Sequence, residues 1–325
     1  MTVRVRVPAS SSNLGSGFDC IGIAIDRWLS ASVTLHNALS GFSINRRGKL
    51  SAVRVRADQD LFTRGFRAAC AAAGAVLPAG VTIDATSDIP VGCGLGSSAA
   101  AIVAGALLAD TALGLGLSRA QILEIGTTIE GHPDNVAPAV YGGAVLSVHT
   151  PTGLVASPLA VAAGIELLIA VPPFPNDTKA ARAALPQTLP HSDAVVAAGR
   201  AAALVQGLAT GDGALLTAAL DDVLHVPFRR GRIPGYDAVV HAARAAGAFG
   251  ATLSGAGSAV LAIAPRERST GVGAAMIAAW REIGIAAELI KCSSAVAGAS
   301  VTTVPDTTHH ARRTTHDSSV TKETS

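Results

Sequence analysis

Twelve residues constrain this chain more than any other stretch: Pro90-Val91-Gly92-Cys93-Gly94-Leu95-Gly96-Ser97-Ser98-Ala99-Ala100-Ala101. Three alternating glycines and two serines follow a proline, and an apolar run of helix formers begins at once. Before the turn, residues 80–86 have the Val/Thr/Ile pattern of a strand. After it, residues 99–108 are nearly all Ala, Leu, Ile and Val, with no proline to stop a helix. Strand, glycine turn and helix N-terminus together make a phosphate-binding geometry. Glycine lets the backbone approach the anion, unpaired N–H groups of the first helical turn point at it, and the helix dipole favours negative charge there. The hydroxyls of Ser97 and Ser98 are placed to cap the helix or to reach a metal–phosphate complex. Two familiar loop types do not fit. A G-x-x-x-x-G-K-[ST] loop needs lysine after its last glycine, where this chain has Ser97. A G-x-G-x-x-G fingerprint needs a different spacing from the alternation of Gly92, Gly94 and Gly96.

A net charge of +2 over 325 residues excludes an electrostatic case for nucleic acid or an acidic membrane as partner. Cys20, Cys70, Cys93 and Cys292 are scattered without C-x-x-C spacing. With no secretory leader at the start of the sequence, they read as reduced thiols of a cytoplasmic protein. Residues 95–117 are long and apolar, but Ser97, Ser98, Asp110 and several glycines interrupt them. They describe a helix buried inside a water-soluble domain rather than a membrane span.

The motif Pro90-x-x-x-Gly94-Leu95-Gly96-Ser97-Ser98-Ala99 resembles the phosphate loop of the GHMP kinases, which implies that residues 90–100 bind ATP. Other segments agree with one branch of that family, the homoserine kinases. Residues 8–19 resemble their P-A-S-x-x-N-L-G-x-G-F-D signature, with Ser16 where proline is common. Alone this stretch reads as a polar turn after a strand over 3–7 that Pro8 ends. The resemblance assigns Asn13 and Asp19 to a substrate amino group, and an amide oxygen and a carboxylate are good acceptors for an ammonium. Residues 130–138 resemble E-G-H-P-D-N-V-A-P. They imply that Asn135 holds the attacking hydroxyl and that His132 faces the substrate and, with Asp134, shapes the loop. Glu124 matches the family's magnesium-binding glutamate, with Ser98 as its partner, and Glu130 competes for the same role. No residue stands out as a general base; Asp134 is the nearest candidate.

The substrate carboxylate is assigned by the same resemblance. A T-x-x-A-R segment gives Arg182, and D-x-L-H-x-P-x-R over 222–229 gives Arg229, with Arg230 and Arg232 as close competitors. Paired guanidinium groups recognise a carboxylate in a way lysine cannot copy. Residues 251–260 carry a third glycine turn, with Ser258 where GHMP kinases commonly have proline. It is expected to bring Gly257 against the phosphate loop and the substrate.

Elsewhere the patterns predict strands over 28–36, 52–56, 144–149, 166–171, 260–264 and 286–290. Helices are expected over 60–73, from Ser118 with a capping box, and over 192–209 and 268–283, with 151–158 as a connection. The implied fold is the two-domain α+β fold of GHMP kinases. An N-terminal ribosomal-protein-S5-like domain would span 1–157, a C-terminal ferredoxin-like domain 158–297, and a disordered tail 298–325, including His309-His310. The implied activity is ATP- and Mg²⁺-dependent phosphorylation of the side-chain hydroxyl of L-homoserine, on the way to threonine, with a homodimer as the family-level expectation. Phosphorylation of another small alcohol, or nucleotide sensing without turnover, are the alternatives.

Overall fold

The computed structural model describes residues 2–38, 40–292 and 296–304. Strands β1 (Thr2–Asn13), β2 (Gly17–His36) and β3 (Gly41–Gly48) come first, then a 3₁₀ turn at Lys49–Ala52, helix α1 (Leu61–Ala72) and strand β4 (Gly80–Ser87). Helices α2 (Ser97–Leu113), α3 (Arg119–Glu130) and α4 (Val136–Tyr141) precede the hairpin β5 (Ala144–Thr150) and β6 (Gly153–Leu159). The second half begins with β7 (Ile165–Val171), α5 (Thr178–Ala183), α6 (His191–Thr210) and α7 (Gly213–Ala219). It continues through α8 (Val226–Arg229), α9 (Tyr236–Ala245), β8 (Gly250–Leu253) and β9 (Val260–Pro265) to α10 (Ser269–Glu282), β10 (Glu288–Cys292) and β11 (Ser300–Val304).

These strands form two sheets. A seven-stranded sheet runs β11-β1-β2-β4-β3, with β5 attached to β2 and β6 to β5; a four-stranded sheet runs β10-β7-β9-β8. Only the β3–β4 pair is parallel among the described residues. Helix α2 is apolar on every side, and residues from Ala99 to Ala109 are buried almost without break against α1, α3, β1 and β2. A helix with no polar face has no place at a surface, so it fills the centre of the first half. No helix among the described residues is long and apolar enough to cross a membrane. The second sheet is covered on both faces. Leu167 and Ile169 of β7 join the large core with Leu204 and Leu208 of α6. The alternate residues Leu168 and Ala170 pack with Val239 of α9 and Met276 and Trp280 of α10. This is why β7 is a continuous apolar run rather than an alternating one.

Local signals held where they were chemical. Asp60 caps α1 by accepting the Phe62 N–H, and Ser118 and Gln121 form the expected capping box of α3. Four expectations fail. Strand β1 runs through Pro8 to Asn13 instead of stopping, because a register shift against β2 falls between Pro8 and Ala9, the kind of position that tolerates proline. Residues 52–56 alternate like a strand, yet Ala52 ends the 3₁₀ turn and 53–56 follow it without a ladder partner; the edge strand is β3. The connection expected over 151–158 is mostly β6, paired with β5 through Leu159. Finally, the expected disorder from residue 298 does not begin there: Ser300–Val304 pairs antiparallel with β1. The remainder of that tail, with His309-His310, lies outside the described residues. Helices α4, α7, α8 and α9 have no counterpart among the expected elements.

Candidate active site

The glycine loop is held by two strand ends from distant parts of the chain. Gly92, Gly94 and Gly96 have φ of 74°, 78° and 64°, the left-handed region that side chains disfavour. At Gly94 the approach is as restrictive as the angle: a Cβ there would stand 2.1 Å from the Ser254 carbonyl oxygen, in the turn between β8 and β9. The same turn is stitched to β1 by the Ser11 and Ser254 hydroxyls at 2.8 Å and by the Gly255 N–H donating to the Ser12 carbonyl at 3.1 Å. Gly94→Ala is therefore expected to destabilise the fold by about 2–3 kcal/mol, from strain and overpacking together. Urea unfolding checks it, and an unchanged midpoint would contradict this packing.

Helix α2 starts at Ser97, with Gly96 as its N-cap, and no side chain caps it. The serines are thus the first two helical residues and not caps, which leaves the first N–H groups of the helix facing a cavity of about 450 Å³. Val91, Gly92, Gly94, Leu95, Gly96, Ser97 and Ser98 line that cavity. Pro90, Cys93, Ala99 and Ala100, assigned with them from the motif, do not; Ala99 and Ala100 face the core, and Cys93 is buried beneath the loop. Gly257 does not line it either. Its backbone lies about 3.0 Å from where a Gly94 Cβ would be, so it supports the loop while Gly255 and Ala256 face the cavity.

The acidic partner of Ser98 is Glu130. Ser98 Oγ donates to Glu130 Oε1 at 2.5 Å where the last residue of α3 meets the first turn of α2. Glu124 is exposed further back on α3, against the β5–β6 turn at Gly153, and does not line the cavity. Glu124, expected beside Ser98 at the metal, lies away from it because six residues along a helix turn a side chain well away from the face of the first. A hydroxyl and a carboxylate meeting beside an uncapped helix N-terminus form a hard oxygen pair, which suits Mg²⁺.

Asn135 is buried and held at both ends of its amide. Its Oδ1 accepts from Ser10 Oγ at 2.9 Å and its Nδ2 donates to Ser12 Oγ at 2.9 Å. Those serines, expected in a polar turn, are instead buried on β1 and hold Asn135 at the cavity. Next to it, His132 Nδ1 lies 2.8 Å from Asp134 Oδ1. Burial lowers the His132 pKa, but the Asp134 hydrogen bond and charge, with Glu130, outweigh it and hold the imidazole above its ordinary value. Ligating atoms of Asp19, His132 and Asp134 lie within 4.8 Å of one another, an anionic corner suited to a cation.

At the other end stand the two arginines. Arg182 forks onto the Asp19 carboxylate, at 3.0 Å and 2.7 Å. Arg229 is buried; it donates from Nε to the Ala181 carbonyl at 3.2 Å and lies 5.2 Å over the Phe18 ring. Burial, then the nearby Arg182, push its pKa down, so this spot has an unmet demand for negative charge. Arg230 pairs with exposed Asp237 and Arg232 reaches Asn176; neither lines the cavity. Asn13 is partly committed: its Nδ2 donates to the Gly255 carbonyl and its Oδ1 accepts the Asp19 N–H, both at 3.0 Å. The free cysteines play no part in this chemistry, burial pushing the Cys20 thiol up to about 11. Leu50, Val53 and Val55 form an apolar wall beside the loop. Segment 52–56, expected as a strand, supplies Val53 and Val55 to it.

A glycine loop feeding an uncapped buried helix, held between β1 of one sheet and the β8–β9 turn of the other, is the architecture of a GHMP kinase. The family model for the GHMP kinase N-terminal domain matches residues 60–143, and that for the C-terminal domain matches 204–283. The chain is 40% identical over 300 residues to the homoserine kinase of Microchaete diplosiphon, covering 92% of this chain and 97% of the relative. It is 42% identical over 285 residues to that of Gloeobacter violaceus, covering 85% and 92%. The crystal structure of homoserine kinase from Cytophaga hutchinsonii superposes with a TM-score of 0.83 at 31% identity, over 93% of this chain and 97% of that one. The chain belongs to the homoserine kinase family of the GHMP kinases.

Proposed function

We propose that this protein transfers the γ-phosphoryl group of ATP to the side-chain hydroxyl of L-homoserine, giving O-phospho-L-homoserine for threonine biosynthesis in the cytoplasm. The observation that carries the reading is an opposition across one cavity. The uncapped N-terminus of α2 faces a region where Asp19, Arg182 and Arg229 gather both signs of charge. One end suits a polyphosphate, the other a zwitterion.

ATP's phosphates would lie over the glycines and the first N–H groups of α2, and its base against Leu50, Val53 and Val55. Ser98 and Glu130 would hold Mg²⁺, which when bound neutralises charge on the β- and γ-phosphates. Homoserine's ammonium would enter the corner of Asp19, His132 and Asp134, with Asn13 beside it, and its carboxylate would be taken by Arg229 and Arg182. Binding it asks Arg182 to share or exchange the Asp19 carboxylate, so the resting ion pair holds both groups ready. Asn135, fixed from both sides by serine hydroxyls, would orient the attacking hydroxyl. Phosphoryl transfer passes through a loose transition state, so positioning and charge neutralisation supply most of the rate. Asp134, tied to His132 and next to Asn135, would be the candidate to take the hydroxyl proton.

ADP release measured with homoserine, mevalonate, galactose and shikimate tests the reading. Turnover is expected with homoserine alone, with a phosphomonoester product by ³¹P NMR. Comparable rates on an uncharged alcohol would refute it.

A further inference from the structure

Behind the carboxylate clamp lies a histidine that does not itself line the cavity. His225 is wholly buried just before α8. Asp222 anchors this segment: its carboxylate accepts the N–H of Leu224 at 3.0 Å and those of His225 and Val226 at 2.7 Å. From there the imidazole reaches the turn between β1 and β2, where Nε2 stands 3.1 Å from the Gly15 carbonyl oxygen. A carbonyl only accepts, so Nε2 carries the proton. Nδ1 then offers a lone pair, and Arg229 Nη1 donates to it at 3.4 Å. A ring protonated on both nitrogens has no lone pair left, so only the neutral form serves both partners. The ring stacks on Phe18 at 5.0 Å with the planes 18° apart, and Arg229 and Arg182 lie 5.2 Å and 5.7 Å over that same Phe18 ring. One imidazole therefore ties the turn between Asn13 and Asp19 to the helix that carries Arg229.

We propose that His225 is the positioning residue for substrate selection: as the Nε2–H tautomer it fixes Arg229 relative to the Asn13–Asp19 turn, so that ammonium and carboxylate of an α-amino acid are read as one unit. This deepens the homoserine kinase reading and rests on it. The charged groups facing the ring are Asp222 ahead of α8, with Oδ2 at 3.7 Å from Nε2, Arg229 on α8 and Asp19 on β2. Burial is the largest influence and disfavours the imidazolium, as does Arg229, while Asp222, the Gly15 contact and Asp19 oppose them. The net direction is below the ordinary value of 6.5.

Two amides separate the two bonds. In His225→Asn the side-chain amide sits near the Nδ1 position, keeping an acceptor for Arg229 and losing Gly15; in His225→Gln it sits near Nε2, keeping Gly15 and losing the acceptor. His225→Gln is expected to raise KM for homoserine about tenfold, with KM for ATP within about twofold, and His225→Asn to raise it less. The reverse order, no change in either variant, or parallel rises in both KM values with a lowered melting temperature would overturn the proposal. Wild-type protein labelled with ¹⁵N-histidine gives a reading that needs neither turnover nor a folded variant. At pH 6.5, where an ordinary imidazole is half charged, His225 is expected as the neutral Nε2–H tautomer. An Nδ1–H tautomer or an imidazolium at that pH would overturn the proposal whatever the substrate proves to be.

Discussion

Glu130→Gln is expected to lower kcat by about 100-fold or more, while Glu124→Gln leaves kcat and both KM values within about twofold. The two glutamates share helix α3, so differences in helix propensity or expression do not separate them. What separates them is place. Glu130 touches Ser98 at the point where α2 presents its free N–H groups, and Glu124 is exposed beside the β5–β6 turn. Removing the charge of Glu130 leaves only neutral oxygens, the Ser98 hydroxyl and the new amide, to hold Mg²⁺, so the polyphosphate's charge is met mainly by backbone dipoles. Ser98→Ala is expected to fall in the same direction by a smaller factor, because the carboxylate remains. Steady-state kinetics across a magnesium titration give the check. A Glu124 variant with the larger defect would contradict the site as drawn.

The second large effect is expected at the opposite end. Arg229→Ala should reduce kcat/KM for homoserine by about 10³-fold, the scale set by truncating one partner of a desolvated charge pair, while KM for ATP changes by less than about threefold. Arg229→Lys should recover little of this loss. A lysine cannot donate from Nε to the Ala181 carbonyl, accept the same stacking over Phe18 and still fork onto a carboxylate. Asp19→Ala should also be severe, for two reasons: it removes the acceptor for the ammonium and frees Arg182 from its bidentate partner. If either variant weakened both substrates equally, the arginines would be holding the fold and not the substrate.

How far the sequence alone reached depends on the physics behind each feature. The phosphate loop was legible because glycine spacing and a following apolar run express a local backbone requirement, and the structure places Gly94 where no Cβ fits. Helix caps at Asp60 and Ser118 were legible for the same local reason. The choice between Glu124 and Glu130 was not, because it turns on how the end of α3 meets the start of α2, a tertiary fact that helical spacing cannot express. The serines of β1 misled in a different way. Polar composition suggested a loop, whereas Ser10, Ser11 and Ser12 are buried and satisfied by Asn135 and Ser254, so their hydroxyls belong to the site's scaffold. His225 carried no signal beyond its motif; its two ring nitrogens acquire meaning only once Gly15 and Arg229 are brought to either side.

The most direct test of the account compares three alcohols in the same ADP-release assay: L-homoserine, 3-aminopropan-1-ol, which lacks the carboxylate, and 4-hydroxybutyrate, which lacks the ammonium. If the site reads a zwitterion through Asp19, Arg182 and Arg229, each truncated alcohol loses at least about 100-fold in kcat/KM relative to homoserine. Either one turning over as efficiently as homoserine would contradict it.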